Sequence, residues 1–318
     1  MNHQNVTPTV EGGLLATGCV VLGLLAVYMP VFGIAALLLW PVPLAVLVVR
    51  QGLGKGVMAG IVAGILMALL IEPLISLRLL LSFAPVGLAM GLCIRKGWNG
   101  GQVFLASFGI SFFAKVITVG LLFLVMQVNV MEVQLSVLRE SFDQSFAMYE
   151  AIGVPEAEIH EAKANIEPAL DLVSMLLPLI LLILAALDTA ACYFMTGRVL
   201  RRIGTKVPEL PPFSEWRLPT FFLYLLGFAL VGMYWGGTRE ITLLYEASLN
   251  ANLTAMCAGT IQGVSLLWYA ADRFHVSKFL RWVLLFFMLL NIVVLQIVAF
   301  TGLFDMLFDY RKRFRERG

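Results

Sequence analysis

Long apolar stretches separated by short polar breaks follow one another along most of the chain. A helix that crosses a bilayer needs about 20 mostly apolar residues, and nine stretches approach that length. They span residues 13–29, 31–49, 56–72, 74–94, 101–126, 172–196, 219–236, 252–271 and 279–303. Several breaks coincide with proline or glycine, which interrupt regular helices: Pro30, Gly52 to Gly56, Glu72-Pro73, Gly97 to Gly101 and Pro208 to Pro212. The pattern predicts an all-α, polytopic helical membrane protein, because the backbone polar groups of a span must be bonded within the span when lipid replaces water.

Asn291 interrupts the last apolar stretch and leaves two alternatives for the number of spans. Either nine helices cross the membrane, or about eight cross it because residues 279–303 form a re-entrant hairpin of two half-helices or because one earlier apolar run does not span. Nine spans would export the tail 304–318, which carries five basic residues. Since basic segments tend to stay in the cytoplasm, we favour eight spans and a hairpin.

The distribution of Lys and Arg predicts the orientation of the protein. With the N-terminus in the cytoplasm, the inner connections hold twelve basic residues and the outer connections hold three. We therefore expect a multi-pass protein of the bacterial cytoplasmic (inner) membrane, with its N-terminus and its C-terminal tail in the cytoplasm. Tryptophans lie near the predicted span ends, as expected of an interfacial aromatic belt: Trp40, Trp98, Trp216, Trp235, Trp268 and Trp282.

The composition excludes several classes of soluble protein. Of the 318 residues, 60% are apolar and 13% are charged, whereas soluble domains average about 45–50% and roughly 25%. The mean hydropathy is +0.90. These values argue against a soluble enzyme and a nucleic-acid-binding module, and they make the lipid bilayer the main partner of the chain.

The net charge of +2 conceals an acidic segment between residues 127 and 171. Nine acidic and two basic side chains give this segment a charge of −7, which leaves +9 for the rest of the chain. Apolar residues recur in it at helical spacing up to a break at Gly153-Val154-Pro155, and a second helical stretch follows. The segment therefore predicts an extracytoplasmic helical hairpin. Two roles stay open: a lid over an outward cavity, or a solvated insertion with one face against the bundle.

The sequence contains none of the short motifs that indicate catalysis or a metal site. His160-Glu161 lacks the second histidine of a zinc-protease motif, and neither a P-loop nor a G-x-S-x-G elbow occurs. The four cysteines lie in or beside apolar runs and form no C-x-x-C pair. We therefore expect no enzymatic activity, no metal and no cofactor.

Ionisable side chains inside predicted spans are the main candidates for function, because an unpaired charge in lipid is costly. Lys115 falls near the middle of the stretch 101–126, and Asp188 lies within 172–196. One interpretation is a structural intramembrane ion pair between Lys115 and Asp188. The other is that Lys115 lines a water-filled site, where it would attract an anionic group of a ligand.

Further polar side chains lie near the predicted outer ends of the spans. If they converge, they form a pocket of mixed charge under the acidic hairpin. Polar residues are also common at helix ends without any binding role, so both interpretations stay open. Together with Lys115, they make up the predicted substrate-binding set: Tyr28, Glu72, Arg78, Gln127, Asn129 and Asp171.

Small residues recur at every fourth position in two of the predicted spans. Gly56, Gly60 and Gly64 mark one face of the third span, and Gly87 and Gly91 mark one face of the fourth. Such faces let helix backbones approach closely where lipid offers no hydrophobic driving force. They predict ordinary helix packing within the bundle; the alternative is a sliding gate or a docking face for another subunit.

Three segments carry a resemblance to known protein families. The proline-rich run from Trp40 to Arg50, the glycine-rich run that follows it to Gly60, and the run from Phe83 to Lys96 resemble S components. These are the substrate-binding subunits of energy-coupling-factor vitamin transporters. The complete chain, including its closing run 302–313, is similar to the YybS-like bacterial membrane proteins of unknown function.

The S-component resemblance implies a six-helix membrane bundle over about residues 1–200, with a substrate cavity that opens to the outside. It also implies a transporter scaffold and ATPase subunits as partners. Residues 201–218 would then be a cytoplasmic linker, 219–303 additional membrane helices, and 304–318 a basic amphipathic tail on the membrane. The expected function is to bind a small polar or anionic metabolite on the outer side for uptake. The alternative is a non-transporting membrane scaffold or assembly protein.

Overall fold

The computed structural model describes residues 8–127 and 130–312, and this part of the chain is helical, with no strand. It contains thirteen α-helices and one 3-10 helix, Phe213–Glu215. The helices are α1 Pro8–Tyr28, α2 Pro30–Leu39, α3 Val42–Gln51, α4 Leu53–Leu70, α5 Pro73–Arg95, α6 Gly100–Met126, α7 Val130–Ala151, α8 Glu156–Met175, α9 Leu177–Arg202, α10 Phe221–Thr238, α11 Thr242–Arg273, α12 Lys278–Leu290 and α13 Ile292–Phe308. The predicted all-α class is confirmed.

Most of the predicted spans correspond to helices that can cross a membrane. Seven helical segments of the described part are long and apolar enough, and the bent pair α12–α13 adds an eighth if it counts as one span. The predicted span 252–271 is the exception, because it lies within the 32-residue helix α11, which is less apolar. Asn250, Gln262 and Ser265 lie along α11, and the side chains of all three are buried.

The second span is broken at Trp40 and Pro41, which the hydropathy pattern does not reveal. α2 ends at Leu39 and α3 begins at Val42, since proline lacks the N–H that a continuous helix would use. Trp40 was expected in the interfacial belt, and this expectation is wrong. Its side chain is completely buried in a cluster that includes Leu44 and Met67. Trp40 therefore fills the interior of a helix bundle.

One compact unit of the protein comprises residues 1–165 and 180–210. The predicted small-residue faces form helix contacts in this unit. A Cβ atom added at Gly64 of α4 would lie 3.1 Å from the side chain of Leu80 in α5. A Cβ atom at Gly91 of α5 would lie 2.6 Å from the carbonyl oxygen of Ala45 in α3. These glycines allow α3, α4 and α5 to pack closely.

The acidic segment contains the two helices expected there. α7 and α8 are joined by a turn at Gly153, whose φ of +88° is in the left-handed region that favours glycine. Within the first unit, the ammonium of Lys163 lies 5.4 Å from the centre of the Phe146 ring. α8 extends to Met175, which is beyond the predicted end of the segment at residue 171.

The second compact unit comprises residues 166–179 and 211–318. Helices α11 and α13 approach closely there, because a Cβ atom at Gly302 would lie only 2.9 Å from the Cα atom of Gly263. Asn250 of α11 holds the break between α8 and α9. Its side-chain amide donates to the carbonyl of Met175 at 2.7 Å, and its side-chain oxygen accepts from the N–H of Leu179 at 3.1 Å.

The helix interruption predicted at Asn291 is confirmed, and it is a sharp bend. α12 and α13 meet there at a bend of 109°. The side-chain oxygen of Asn291 accepts hydrogen bonds from the N–H groups of Val293 and Val294, which is how an N-cap residue begins a helix. Because the bend exceeds 90°, α13 runs back towards the side from which α12 comes.

Both ends of the bent pair lie near the C-terminal part of α11. At the start of the pair, the ring of Trp282 lies 5.9 Å from that of Trp268 in α11. After its end, the guanidinium of Arg311 donates to the hydroxyl of Ser265 in α11 at 3.0 Å. Ser265 and Trp268 are neighbours on successive turns of α11. This geometry favours the re-entrant hairpin over a ninth full span.

Candidate functional site

The two ionisable groups predicted inside spans come from α6 and α9. α6 begins with a capping box, in which Asn99 accepts from the Gln102 N–H at 2.9 Å and the Gln102 side chain accepts from the Asn99 N–H. Four polar residues of α6 then follow at helical spacing, and their side chains are all buried: Ser107, Ser111, Lys115 and Thr118. This face places a lysine in the interior of the first unit.

Lys115 and Asp188 form an ion pair inside the first unit. The Lys115 ammonium contacts Oδ2 of Asp188 and donates to the Ser111 hydroxyl at 3.1 Å. The Ser111 hydroxyl in turn donates to the Asp188 carboxylate, at 2.9 Å from Oδ1 and 3.1 Å from Oδ2. Lys115 is only 6% exposed and Asp188 only 1%. The two charges therefore compensate each other in a desolvated site, with Ser111 bonded to both.

The polar groups at this ion pair are not all satisfied. Lysine has three N–H donors, and two of those on Lys115 have acceptors among the described residues. The ring centre of Phe83 lies 4.8 Å from the ammonium, within the range of a cation–π interaction. The hydroxyls of Ser107 on α6 and Thr189 on α9 are buried and lack a hydrogen-bond partner in the described structure. One N–H donor of Lys115 therefore has no acceptor among the described residues.

The other predicted substrate-binding residues lie mostly on the exposed surface of the described structure. No side-chain hydrogen bond or ion pair between described residues joins any two of them, and Asn129 lies outside the described residues. Asp171 is exposed on α8 and belongs to the second unit. Gln127 ends α6 with a left-handed φ of +53°. The exposed members in the first unit are Tyr28, Glu72, Arg78 and Gln127.

A second buried charge lies in the second unit, where sequence analysis did not expect one. Arg311 was expected on the membrane surface with the basic tail, and this is wrong, because it is 2% exposed. Its guanidinium donates to the carbonyl of Ser214 at 2.6 Å and to the hydroxyl of Ser265 at 3.0 Å, and its Nε lies 3.5 Å from Oδ2 of Asp305. Burial lowers the pKa of Arg311, and the Asp305 charge acts in the opposite direction. Residues 313–318 of the tail lie outside the described part.

The neighbours of Arg311 are themselves well bonded. Gln262 donates to Oδ2 of Asp305 at 2.6 Å, and its side-chain oxygen accepts from the Leu218 N–H at 3.0 Å. The Tyr310 N–H donates to Oδ1 of Asp305 at 3.0 Å. The sequence contains only a weak indication of this network. Gln262 and Ser265 share one face of a predicted span, but the residues that they bond to lie far away along the chain.

The helical spans and the charges buried between helices define a polytopic integral membrane protein. The chain matches the family described as "Predicted membrane protein (DUF2232)" over residues 19–306, and it belongs to this family. It is also similar to the "Uncharacterized protein YybS" of Bacillus subtilis (strain 168), with 22% identity over 312 residues that cover 96% of this chain and 97% of the relative. No solved structure matches the chain. The predicted relationship to YybS-like membrane proteins is confirmed, whereas the resemblance to S components stays a prediction.

Proposed function

We propose that the first unit binds a small polar or anionic metabolite at the Lys115–Asp188 pair and takes part in its uptake from the outer side. The observation that carries this proposal is the unused hydrogen-bonding capacity of the buried Lys115 ammonium, one N–H of which has no acceptor among the described residues. Buried polar groups without partners cost free energy. Ionisable residues within the membrane are functional candidates by default, because they often mark solute or ion pathways.

A binding experiment tests the solute site directly. The purified protein is unfolded by heat in detergent, with tryptophan fluorescence as the signal, in the presence of biotin, pantothenate, nicotinate or the neutral analogue nicotinamide. We expect at least one compound to raise the apparent Tm of the wild type. The rise should be absent in Lys115→Ala and retained in Lys55→Ala, which removes an exposed lysine of the same unit. An equal rise in wild type and Lys115→Ala would contradict the assigned site.

Uptake requires an energy source that this chain does not encode as an ATP-binding motif. The resemblance to S components supports a transporter scaffold with ATPase subunits as that source. Purification of the tagged protein from its native membrane in mild detergent, followed by mass spectrometry, tests this part. We expect a membrane scaffold and paired ATPases in stoichiometric amounts. Their absence would remove the S-component-like uptake mechanism.

The proposed orientation places both termini in the cytoplasm and the turn at Gly153 outside. This orientation counts α11 as a further span, and the distribution of basic residues and the return of α13 towards the C-terminal part of α11 support it. A fluorescent protein fused after residue 318 should fluoresce in intact cells, and alkaline phosphatase inserted at Gly153 should be active. The opposite pair of signals would reverse the orientation.

A non-transporting scaffold or assembly protein is the second candidate function, and the near-complete burial of the ion pair favours it. In that case Lys115 and Asp188 would only fix how α6 and α9 pack. Replacement of both residues by apolar ones would then leave the partners of the protein unchanged, because a buried ion pair adds little net stability over a well-packed apolar pair.

A further inference from the structure

We propose that the Lys115–Asp188 site selects zwitterionic solutes, which carry one positive and one negative group. This inference rests on the proposed solute site and specifies the class of solute that the site accepts. It follows from the balance of charges in the first unit, where one ammonium and one carboxylate face each other and are nearly completely buried.

The first step of the argument concerns a solute that carries only a negative charge. Such a solute would have to displace Asp188 from the Lys115 ammonium or bind beside both. Displacement would leave the Asp188 carboxylate buried without a cation, and binding beside both would place two negative charges next to one positive charge. Each arrangement leaves an uncompensated charge in a desolvated interior, which costs free energy, so an anionic solute should bind more weakly than a zwitterionic one.

The same reasoning applies to a solute that carries only a positive charge. It would compete with Lys115 for Asp188 and leave the lysine ammonium without a counter-ion. A zwitterion avoids both penalties, because its carboxylate can pair with Lys115 while its ammonium pairs with Asp188. One internal ion pair is then exchanged for two, and no charge is left alone.

The hydrogen-bonding groups around the pair suit this exchange. The Ser111 hydroxyl contacts both charged side chains, so each of them keeps a polar neighbour when the pair separates. The Lys115 ammonium keeps one N–H that can donate to the solute carboxylate. The aromatic face of Phe83 lies beside the Lys115 ammonium and stabilises a positive charge there.

Three small probes of similar size separate the charge classes. They are 4-aminobutyrate, which is zwitterionic, butyrate, which is anionic, and butylamine, which is cationic. Binding to the purified full-length protein is measured by isothermal titration calorimetry at constant ionic strength. We expect 4-aminobutyrate to bind the wild type at least about tenfold more tightly than either single-charge probe.

Neutralisation of one partner should change this preference in a predictable direction. Asp188→Asn leaves a net positive site, so butyrate should bind that variant more tightly than 4-aminobutyrate. Lys115→Gln leaves a net negative site, so butylamine should be preferred. Lys55→Gln serves as the control for a lysine outside the site and should keep the wild-type order. A merely structural pair would not produce these opposite reversals.

The possible outcomes distinguish this inference from the proposed function. Equal or tighter binding of butyrate to the wild type would overturn the zwitterion inference and leave an anion-binding site in place. Failure of all three probes to bind the wild type would also overturn it, and the vitamin panel would then decide separately on the solute site. If either variant fails to fold, the reversal in the other variant is sufficient for the test.

Discussion

The two units of this protein each bury a cation with a carboxylate, but they differ in the number of groups that bond to the two charges. In the second unit, Arg311 is held by a backbone carbonyl, the Ser265 hydroxyl and the Asp305 carboxylate, and Asp305 accepts two further hydrogen bonds. In the first unit, Lys115 and Asp188 share one serine, and one N–H of Lys115 has no acceptor among the described residues.

This difference separates a structural network from a candidate binding site. The Arg311 network joins α11, α13 and the segment around the 3-10 helix through several hydrogen bonds, which suits the role of fixing that end of the second unit, although Nε of Arg311 has no hydrogen-bond partner. The Lys115 pair spans only α6 and α9, and one N–H of Lys115 has no acceptor among the described residues. Buried polar groups normally have hydrogen-bond partners. A ligand that supplied the missing acceptor would therefore gain binding free energy at the Lys115–Asp188 pair.

Removal of Arg311 should produce the largest loss of stability. Arg311→Ala would leave the buried Asp305 carboxylate without its cation, and we expect the free energy of unfolding to fall by roughly 3–5 kcal/mol. Thermal unfolding in detergent and the yield of monodisperse protein measure this effect. Arg217→Ala is the matched control, since its 2.8 Å ion pair with Asp309 is exposed and should be worth less than about 1 kcal/mol. Equal effects of the two changes would contradict the structural role of Arg311.

Close packing of α11 on α13 should be the next most sensitive feature. Gly302→Ala would place a methyl group against the backbone of Gly263, and such overpacking is expected to cost about 1–3 kcal/mol. Gly227→Ala in α10 is the control, because no atom lies within 4 Å of its added Cβ, and alanine favours a helix. The apparent Tm values should fall for the first variant only.

The cap at the bend of α12 and α13 should contribute less. Asn291→Ala removes the acceptor for two N–H groups at the start of α13, and we expect a loss of about 0.5–2 kcal/mol. Asn291→Ser keeps a capping oxygen and should recover most of the stability in the same unfolding measurement. If the serine variant were as unstable as the alanine variant, helix capping would not be the way in which Asn291 stabilises the protein.

The sequence allowed the apolar spans to be predicted because hydropathy depends on composition within a short window. The pairing of Lys115 with Asp188 could also be predicted, because the predicted spans contain few charged residues and therefore few possible ion pairs. The bend at Asn291 was visible as a polar residue within an apolar run. In these cases a local pattern contains the information.

The features that sequence analysis missed depend on distant or backbone partners. Arg311 is buried because a backbone carbonyl at Ser214 and the hydroxyl of Ser265 receive it, and a carbonyl has no signature in the sequence. Trp40 is buried because residues of α1, α3 and α4 surround it, although its position resembles that of an interfacial tryptophan. The predicted polar residues lie at the same depth in the membrane according to the span pattern. That pattern does not say which helix ends are neighbours in space.

The smallest expected change in stability gives the most direct test of the central claim, that the Lys115–Asp188 pair serves binding rather than folding. In Lys115→Met/Asp188→Leu, both charges are replaced together by apolar side chains, so the free energy of unfolding should stay within about 1 kcal/mol of wild type or rise. The measurement is the apparent Tm of wild type and double variant, each with and without the tightest-binding compound from the solute experiments. We predict similar Tm values without the compound and a ligand-induced rise in the wild type only. A rise of the same size in the double variant, or an unfolded double variant, would contradict the account.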